Sequence, residues 1–162
     1  MTENEKSTKS LVLVPGCLTF ADLRTLASPG VSLQLVPESY QAVDKASSLV
    51  RYIVESGQRT YGVNTGVGTL SDRSIAAEDV AELQRRIVLS NAAGTGPWLS
   101  DHVVRWMLAL KINALATGFS GVRRELVDAL IVLFNSELVP GVPSIGLVGA
   151  SGDLAPLAHL AA

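Results

Sequence analysis

Three consecutive stretches of helical periodicity, over residues 77–92, 100–117 and 121–138, constrain this chain more than any other feature. In the second stretch Val104, Met107, Leu108, Lys111, Ile112 and Leu115 recur at the three- and four-residue steps that line one face of a helix. Leu126, Ala129, Leu130, Leu133 and Phe134 repeat the pattern in the third. Such faces are stable only against partners of the same kind, so the expected fold class is mainly α, with long bundle helices. Aromatic residues make up 5% of the 162 positions, so the core is expected to be aliphatic.

The first third is more varied. Residues 1–10 are polar, mixed in charge and expected to form a disordered tail. A short apolar run at 11–14 closes at Pro15-Gly16, as a strand and turn would. Thr19 with Asp22 resembles a helix start, and Pro29-Gly30 stops that helix. Residues 31–36 alternate like a half-buried strand. From Pro37, Val43, Ala46, Val50 and Ile53 recur at helical spacing until Gly57. Small strand content near the N-terminus is therefore expected. Residues 11–118 read as a mainly helical N-terminal domain, and 119–162 as the start of a central helical bundle. The chain stops at Ala162 inside an apolar helical segment, DLAPLAHLAA, which leads to the expectation that it is the N-terminal part of a longer protein.

A net charge of −2 provides no general pull towards nucleic acid or an anionic membrane. The pairs Arg85-Arg86 and Arg123-Arg124 sit among acidic neighbours and read as solvated helix faces. Cys17 is the sole cysteine, so an internal disulfide and a cysteine zinc cluster are out of reach; it is expected to be buried packing. The N-terminus lacks the apolar stretch of a secretory signal, and Arg105, Lys111 and Asp128 interrupt the longest apolar regions. The expected location is cytoplasmic.

Two glycine-rich stretches break the helical pattern and carry the candidate chemistry. The first, residues 58–72, contains Tyr61-Gly62-Val63-Asn64-Thr65-Gly66-Val67-Gly68. Tyr61 in such a loop is placed either to close over a ligand and serve as a base or to anchor the loop. Asn64 either bonds a polar substrate group or holds the turn. The second contains Gly149-Ala150-Ser151-Gly152 ahead of a helix. A backbone nitrogen at an unhindered Gly152 can attack the carbonyl two residues earlier, and loss of water from the ring and from Ser151 leaves an exocyclic methylidene. An ordinary glycine-rich turn fits the tetrapeptide equally well. A phosphate site fits poorly, because neither the dinucleotide glycine spacing nor a P-loop Lys-Ser/Thr is present. His102 follows a helix cap and is expected to face solvent. His159 is expected to be structural, and no metal site is expected.

YGVNTGVG, LQRRIVLSNAAGTG and the stretch from LKINALATG to SIGLVGASGDLAPLAHLAA, in this order, resemble the aromatic amino-acid ammonia-lyases and aminomutases, above all their histidine-specific branch. The resemblance runs from about Thr19 to the last residue. It implies that Ala150, Ser151 and Gly152 form 4-methylideneimidazole-5-one (MIO) autocatalytically, with no external cofactor. The substrate amine would add to the methylidene carbon, Tyr61 would remove the β-proton, and ammonia would leave. For L-histidine the product is urocanate. Substrate contacts are implied for Asn64, Gly68, Leu89, Ser90 and Asn91, in a homotetramer whose sites combine several subunits. Where the histidine enzymes usually carry Ser-His this chain has Ser90-Asn91, and Val67 stands where an aromatic is common. The substrate-carboxylate arginine and a second loop tyrosine would lie beyond Ala162.

Alternatives within the class are a tyrosine or phenylalanine ammonia-lyase and a 2,3-aminomutase. An alternative from another class is a truncated, non-catalytic helical module, and on its own the 162-residue piece is expected to be inactive.

Overall fold

The computed structural model describes residues 9–136 and 138–162. The expected tail falls mostly at residues 1–8, outside the described residues; Lys9 and Ser10 belong instead to a strand. The described residues form six α-helices and four short strands, gathered into two compact units. The mainly helical expectation is met.

The first unit takes in residues up to Ser47 together with Ser100–Val139. Strand β1 (Lys9–Leu13) pairs in parallel with β2 (Val31–Leu35), Leu11 opposite Leu33 and Leu13 opposite Leu35, and helix α1 (Phe20–Leu26) connects them. Alternation in β2 sends Val31, Leu33 and Leu35 inward, the half-buried pattern its sequence predicts. Thr19 caps α1 as expected. Its hydroxyl accepts from the Asp22 amide at 3.2 Å, and the Asp22 carboxylate accepts from the Thr19 amide at 2.9 Å.

Helices α2 (Ser39–Ser56), α4 (Asp101–Ala116) and α5 (Arg124–Asn135) follow the periodicity, α2 running on past Ser47 into the second unit. Val104, Leu108, Ile112 and Leu115 of α4 are buried, each such side chain contributing about 1.5–3 kcal/mol of hydrophobic stabilisation. Helix α5 starts three residues later than expected and buries a rotated stripe: Val127 and Phe134 are inside, whereas Leu126 is exposed. Gly118 takes φ +79° where a Cβ would stand 2.6 Å from Ala42, so α2 passes too close for any other residue.

Arg105, which interrupts the apolar pattern of α4, is 5% exposed. It donates to the carbonyls of Leu26 (3.0 Å), Val31 (2.9 Å) and Phe134 (3.3 Å), and its guanidinium lies 4.1 Å above the Phe134 ring. Two of those carbonyls sit in the last turns of α1 and α5, where unpaired C=O groups and the helix dipole favour a cation. These carbonyls and the Phe134 ring are among the partners that offset the cost of burying the charge. The Asn135 side chain exchanges two hydrogen bonds with the Leu33 backbone, standing in for a neighbouring strand along β2.

Cys17 corrects an expectation: its thiol is exposed, because the turn after β1 carries it away from the unit's interior. Arg124 pairs with Asp44 and Arg86 with Glu82 on exposed faces, as expected of solvated helices.

The second unit holds residues 48–99 and 140–162. After α2 ends at Gly57 (φ +67°), the chain loops to helix α3 (Val80–Asn91), preceded by a 3₁₀ turn at Ala77–Asp79. Strand β3 (Thr95–Trp98) then pairs antiparallel with β4 (Pro143–Ile145), and α6 (Ala155–Ala161) follows with Pro156 in its first turn. The β3–β4 pair was not foreseen, since neither partner alternates long enough to be read as a strand. Among the described residues, no helix is long and apolar enough to cross a membrane.

Candidate active site

The candidate residues lie on the two glycine-rich stretches and the end of α3, all in the second unit. Residues 60–75 form a closed loop. Gly66 N donates to Arg73 O at 3.0 Å and Ile75 N to Asn64 O at 2.9 Å, so the chain returns on itself. Asn64 is 8% exposed and accepts from the Thr60 amide (2.8 Å) while donating to Gln58 O (3.0 Å). It therefore holds the turn, one of the two roles open to it from sequence. Tyr61 is 65% exposed, and its phenolic oxygen accepts a hydrogen bond from Gly68 N at 3.3 Å. Gly68 takes φ +60°, a conformation that turns its N–H towards the tyrosine and that side chains resist.

Residues 149–152 form a tight reversal closed from both ends. Gly149 N donates to Gly152 O at 3.3 Å and Gly152 N to Gly149 O at 3.1 Å, with Ala150 and Ser151 at the tip. Gly152 has φ +82°, and a Cβ at Gly149 or Gly152 would have no heavy atom within 4 Å. The Asp153 carboxylate clamps the base: one oxygen accepts from Leu147 N (3.0 Å) and from Ala155 N (3.1 Å). A Cβ on Gly146 would overlap that same carboxylate. Asp153 opens the DLAPLAHLAA segment in the sequence; its hold on Leu147 spans six residues and has no local signature.

Asn91, the last residue of α3, faces this reversal. With Leu147–Gly152 and Leu154 it lines a hollow of about 170 Å³. Its amide nitrogen donates to Ile87 O at 2.8 Å. Only nitrogen can face a carbonyl, so the orientation is determined, and the Asn91 amide oxygen is left without a partner among the described residues. The Ser90 hydroxyl is bonded back to Ile87 O, and Leu89 is exposed. The structure thus brings Asn91 together with Ala150, Ser151 and Gly152; Tyr61, Asn64, Gly68, Leu89 and Ser90 do not line this hollow. His159 accepts from Gly94 N at 2.9 Å, the structural role expected of it, and His102 is exposed against Trp106. No group of three His, Cys, Asp or Glu among the described residues is arranged to hold a metal ion.

The sequence profile of aromatic amino acid lyases matches residues 18–162. The chain belongs to the aromatic amino acid lyase family. A histidine ammonia-lyase from Shewanella oneidensis is 49% identical over 155 residues, which cover 96% of this chain and 30% of that protein. Among solved structures, a histidine ammonia-lyase from Trypanosoma cruzi superposes with a TM-score of 0.83 at 36% identity, covering 93% of this chain and 29% of its own. A tyrosine aminomutase from Streptomyces globisporus superposes at 0.82 and 33% identity, covering 89% and 27%. The chain therefore spans about 30% of the length of the curated lyase it matches.

Proposed function

We propose that the full-length lyase carrying this chain removes ammonia from an aromatic L-amino acid, L-histidine first, giving urocanate. The observation that carries this reading is the doubly closed reversal at Ala150-Ser151-Gly152, with Asn91 across the hollow.

The residues present fit an MIO precursor. The reversal turns the chain back sharply at Gly152, whose φ of +82° side chains resist, and open space surrounds the turn. Attack of Gly152 N on the Ala150 carbonyl carbon closes a five-membered ring and releases one water; Ser151 releases the second with its hydroxyl. Asp153 holds both flanks while this occurs. The finished ring would supply an electrophilic carbon able to accept electron density, and no external cofactor would be needed.

Tyr61 is the base in this reading. The Gly68 N–H donated to its oxygen holds the phenol in place over the loop, and that oxygen takes the substrate's β-proton. Gly68 contributes through that backbone donor. Asn91, with one amide hydrogen committed to Ile87, offers its amide oxygen as an acceptor, and this suits the imidazole N–H of histidine or the phenol of tyrosine. Leu89 and Ser90 shape the same end of α3, and Asn64 keeps one amide hydrogen for a ligand. The hollow is smaller than the ~300–1,000 Å³ of a typical ligand site, and in this reading later segments and other subunits of a homotetramer would complete it. In the full-length chain residues 119–162 would open the central bundle, and the enzyme would be cytoplasmic.

Incubating full-length enzyme with histidine, tyrosine and phenylalanine tests this by ammonia release and the ultraviolet absorbance of an unsaturated acid. No release from any of the three sinks the reading. The similarity to tyrosine aminomutase favours one second reading, return of ammonia to the β-carbon, which product chromatography separates. An intact mass equal to the unmodified sequence would mean a non-catalytic helical module.

A further inference from the structure

We infer that His159 is a positioning residue: by accepting the Gly94 amide it holds the end of α3, and with it Asn91, at a set distance from the Ala150–Gly152 reversal. The inference deepens the proposed function and rests on it for its kinetic part.

Asn91 and the reversal face each other across one hollow but belong to separate segments. Helix α3 packs against α6, and two hydrogen-bonded ties add to that contact. One is the β3–β4 pair, only a few residues long and irregular between Thr95 and Trp98. The other is the 2.9 Å bond from Gly94 N to His159 Nε2. The route from this bond to Asn91 is short. Ala93 N donates to Asn91 O at 2.8 Å, closing a tight turn immediately after α3. On the other side His159 sits on α6, whose first residue, Ala155, is bonded to the Asp153 clamp at 3.1 Å. The imidazole thus connects the reversal's clamp to the turn behind Asn91.

The junction is also packed closely. A Cβ on Gly94 would stand 3.1 Å from His159 Nε2, 3.2 Å from its Cδ2 and 3.2 Å from the Ile145 carbonyl. Gly94 has room for its hydrogen and little more, so a shift of the imidazole passes directly to the backbone beside Asn91. Because Nε2 accepts, the ring proton resides on Nδ1, and the tie needs an acceptor at the reach of an imidazole. Glutamine has such an acceptor; leucine has none, and the amide of asparagine is too short.

The test uses full-length enzyme with His159→Leu, His159→Asn and His159→Gln. His159→Leu is expected to keep the two-water mass deficit and a kcat within about twofold, and to raise KM for histidine about tenfold, the scale of one lost hydrogen bond. Hydrogen exchange in the peptide spanning Asn91–Gly94 should speed up. His159→Asn should behave alike, and it carries the test if the leucine variant does not fold. His159→Gln should restore both KM and exchange. Unchanged exchange in the leucine and asparagine variants overturns the tie whatever the activity. Faster exchange with unchanged KM overturns the positioning role, as does a glutamine variant no better than leucine. Loss of the mass deficit would place His159 in ring formation instead. Wild-type enzyme that releases no ammonia from any substrate sinks the functional reading alone; exchange then still decides whether His159 holds the end of α3.

Discussion

Gly146 is a residue whose smallness is set by a side chain seven positions away. Any Cβ there would overlap the carboxylate with which Asp153 holds Leu147 and Ala155. Gly146→Ala is therefore expected to displace Asp153 and stop ring closure. Intact mass would then match the unmodified chain, and ammonia release should fall at least about a hundredfold, the scale of losing one preorganised catalytic group. In the proposed reaction Asn91 would act through its amide oxygen, which has no partner among the described residues. Asn91→Leu should lower kcat/KM for histidine about a hundredfold and reduce the preference over phenylalanine, because an imidazole N–H would lose its acceptor. Equal kcat/KM for histidine in wild type and variant would remove Asn91 from the substrate's ring site. Asn91 could be read as special from the family's motifs, but neither its partners nor the constraint on Gly146 could. Asp153 reaches Gly146 and Leu147 only because the 149–152 reversal folds the chain back.

Element ends and faces respond differently, because their signals are local. The Thr19 capping box follows from two residues three apart, and Thr19→Ala should cost about 1 kcal/mol, read as a lower thermal midpoint. Bonds from the Thr19 hydroxyl and amide hold the Asp22 carboxyl below its ordinary range. The stabilisation this brings is present above the ordinary carboxylate pKa and is lost as pH falls through the depressed one. The alkaline side is governed by Tyr40 on α2, bonded to Asp128 on α5. Desolvation first, then the Asp128 hydrogen bond and charge, push the phenol up to about 12. A raised pKa stabilises the protonated, folded state, so its contribution is complete below about pH 10 and disappears as pH rises through about 12. Tyr40→Phe should flatten the decline of thermal midpoint across that window; an unchanged slope would mean that other groups control it. Asp128 stands out in the sequence only as a break in an apolar run and Tyr40 not at all, because pairing across 88 positions leaves no local pattern.

For the molecule as a whole, the buried Arg105 guanidinium ties α1, β2 and α5 to α4. Arg105→Met keeps much of the volume but leaves those carbonyls without their donor. It is expected to destabilise the protein by about 3 kcal/mol, measured as a lower urea midpoint. A midpoint within error of wild type would show that the carbonyls find other partners.

The sequence by itself determined the mainly helical class, the α1 cap, the breaks at Pro29-Gly30 and Gly57, and the two glycine-rich loops. Each of these depends on neighbours within about four residues, the reach of helical periodicity and turn chemistry. It also carried the family motifs around Tyr61 and Ala150–Gly152. Only the tertiary structure decided which face of α5 is buried, that Cys17 is exposed, that β3 pairs with β4, and that Arg105 belongs inside. The same holds for the placement of Asn91 opposite the reversal, with His159 behind it. Those outcomes depend on hydrogen-bond partners and packed surfaces tens of residues apart, brought together by chain folding rather than by spacing.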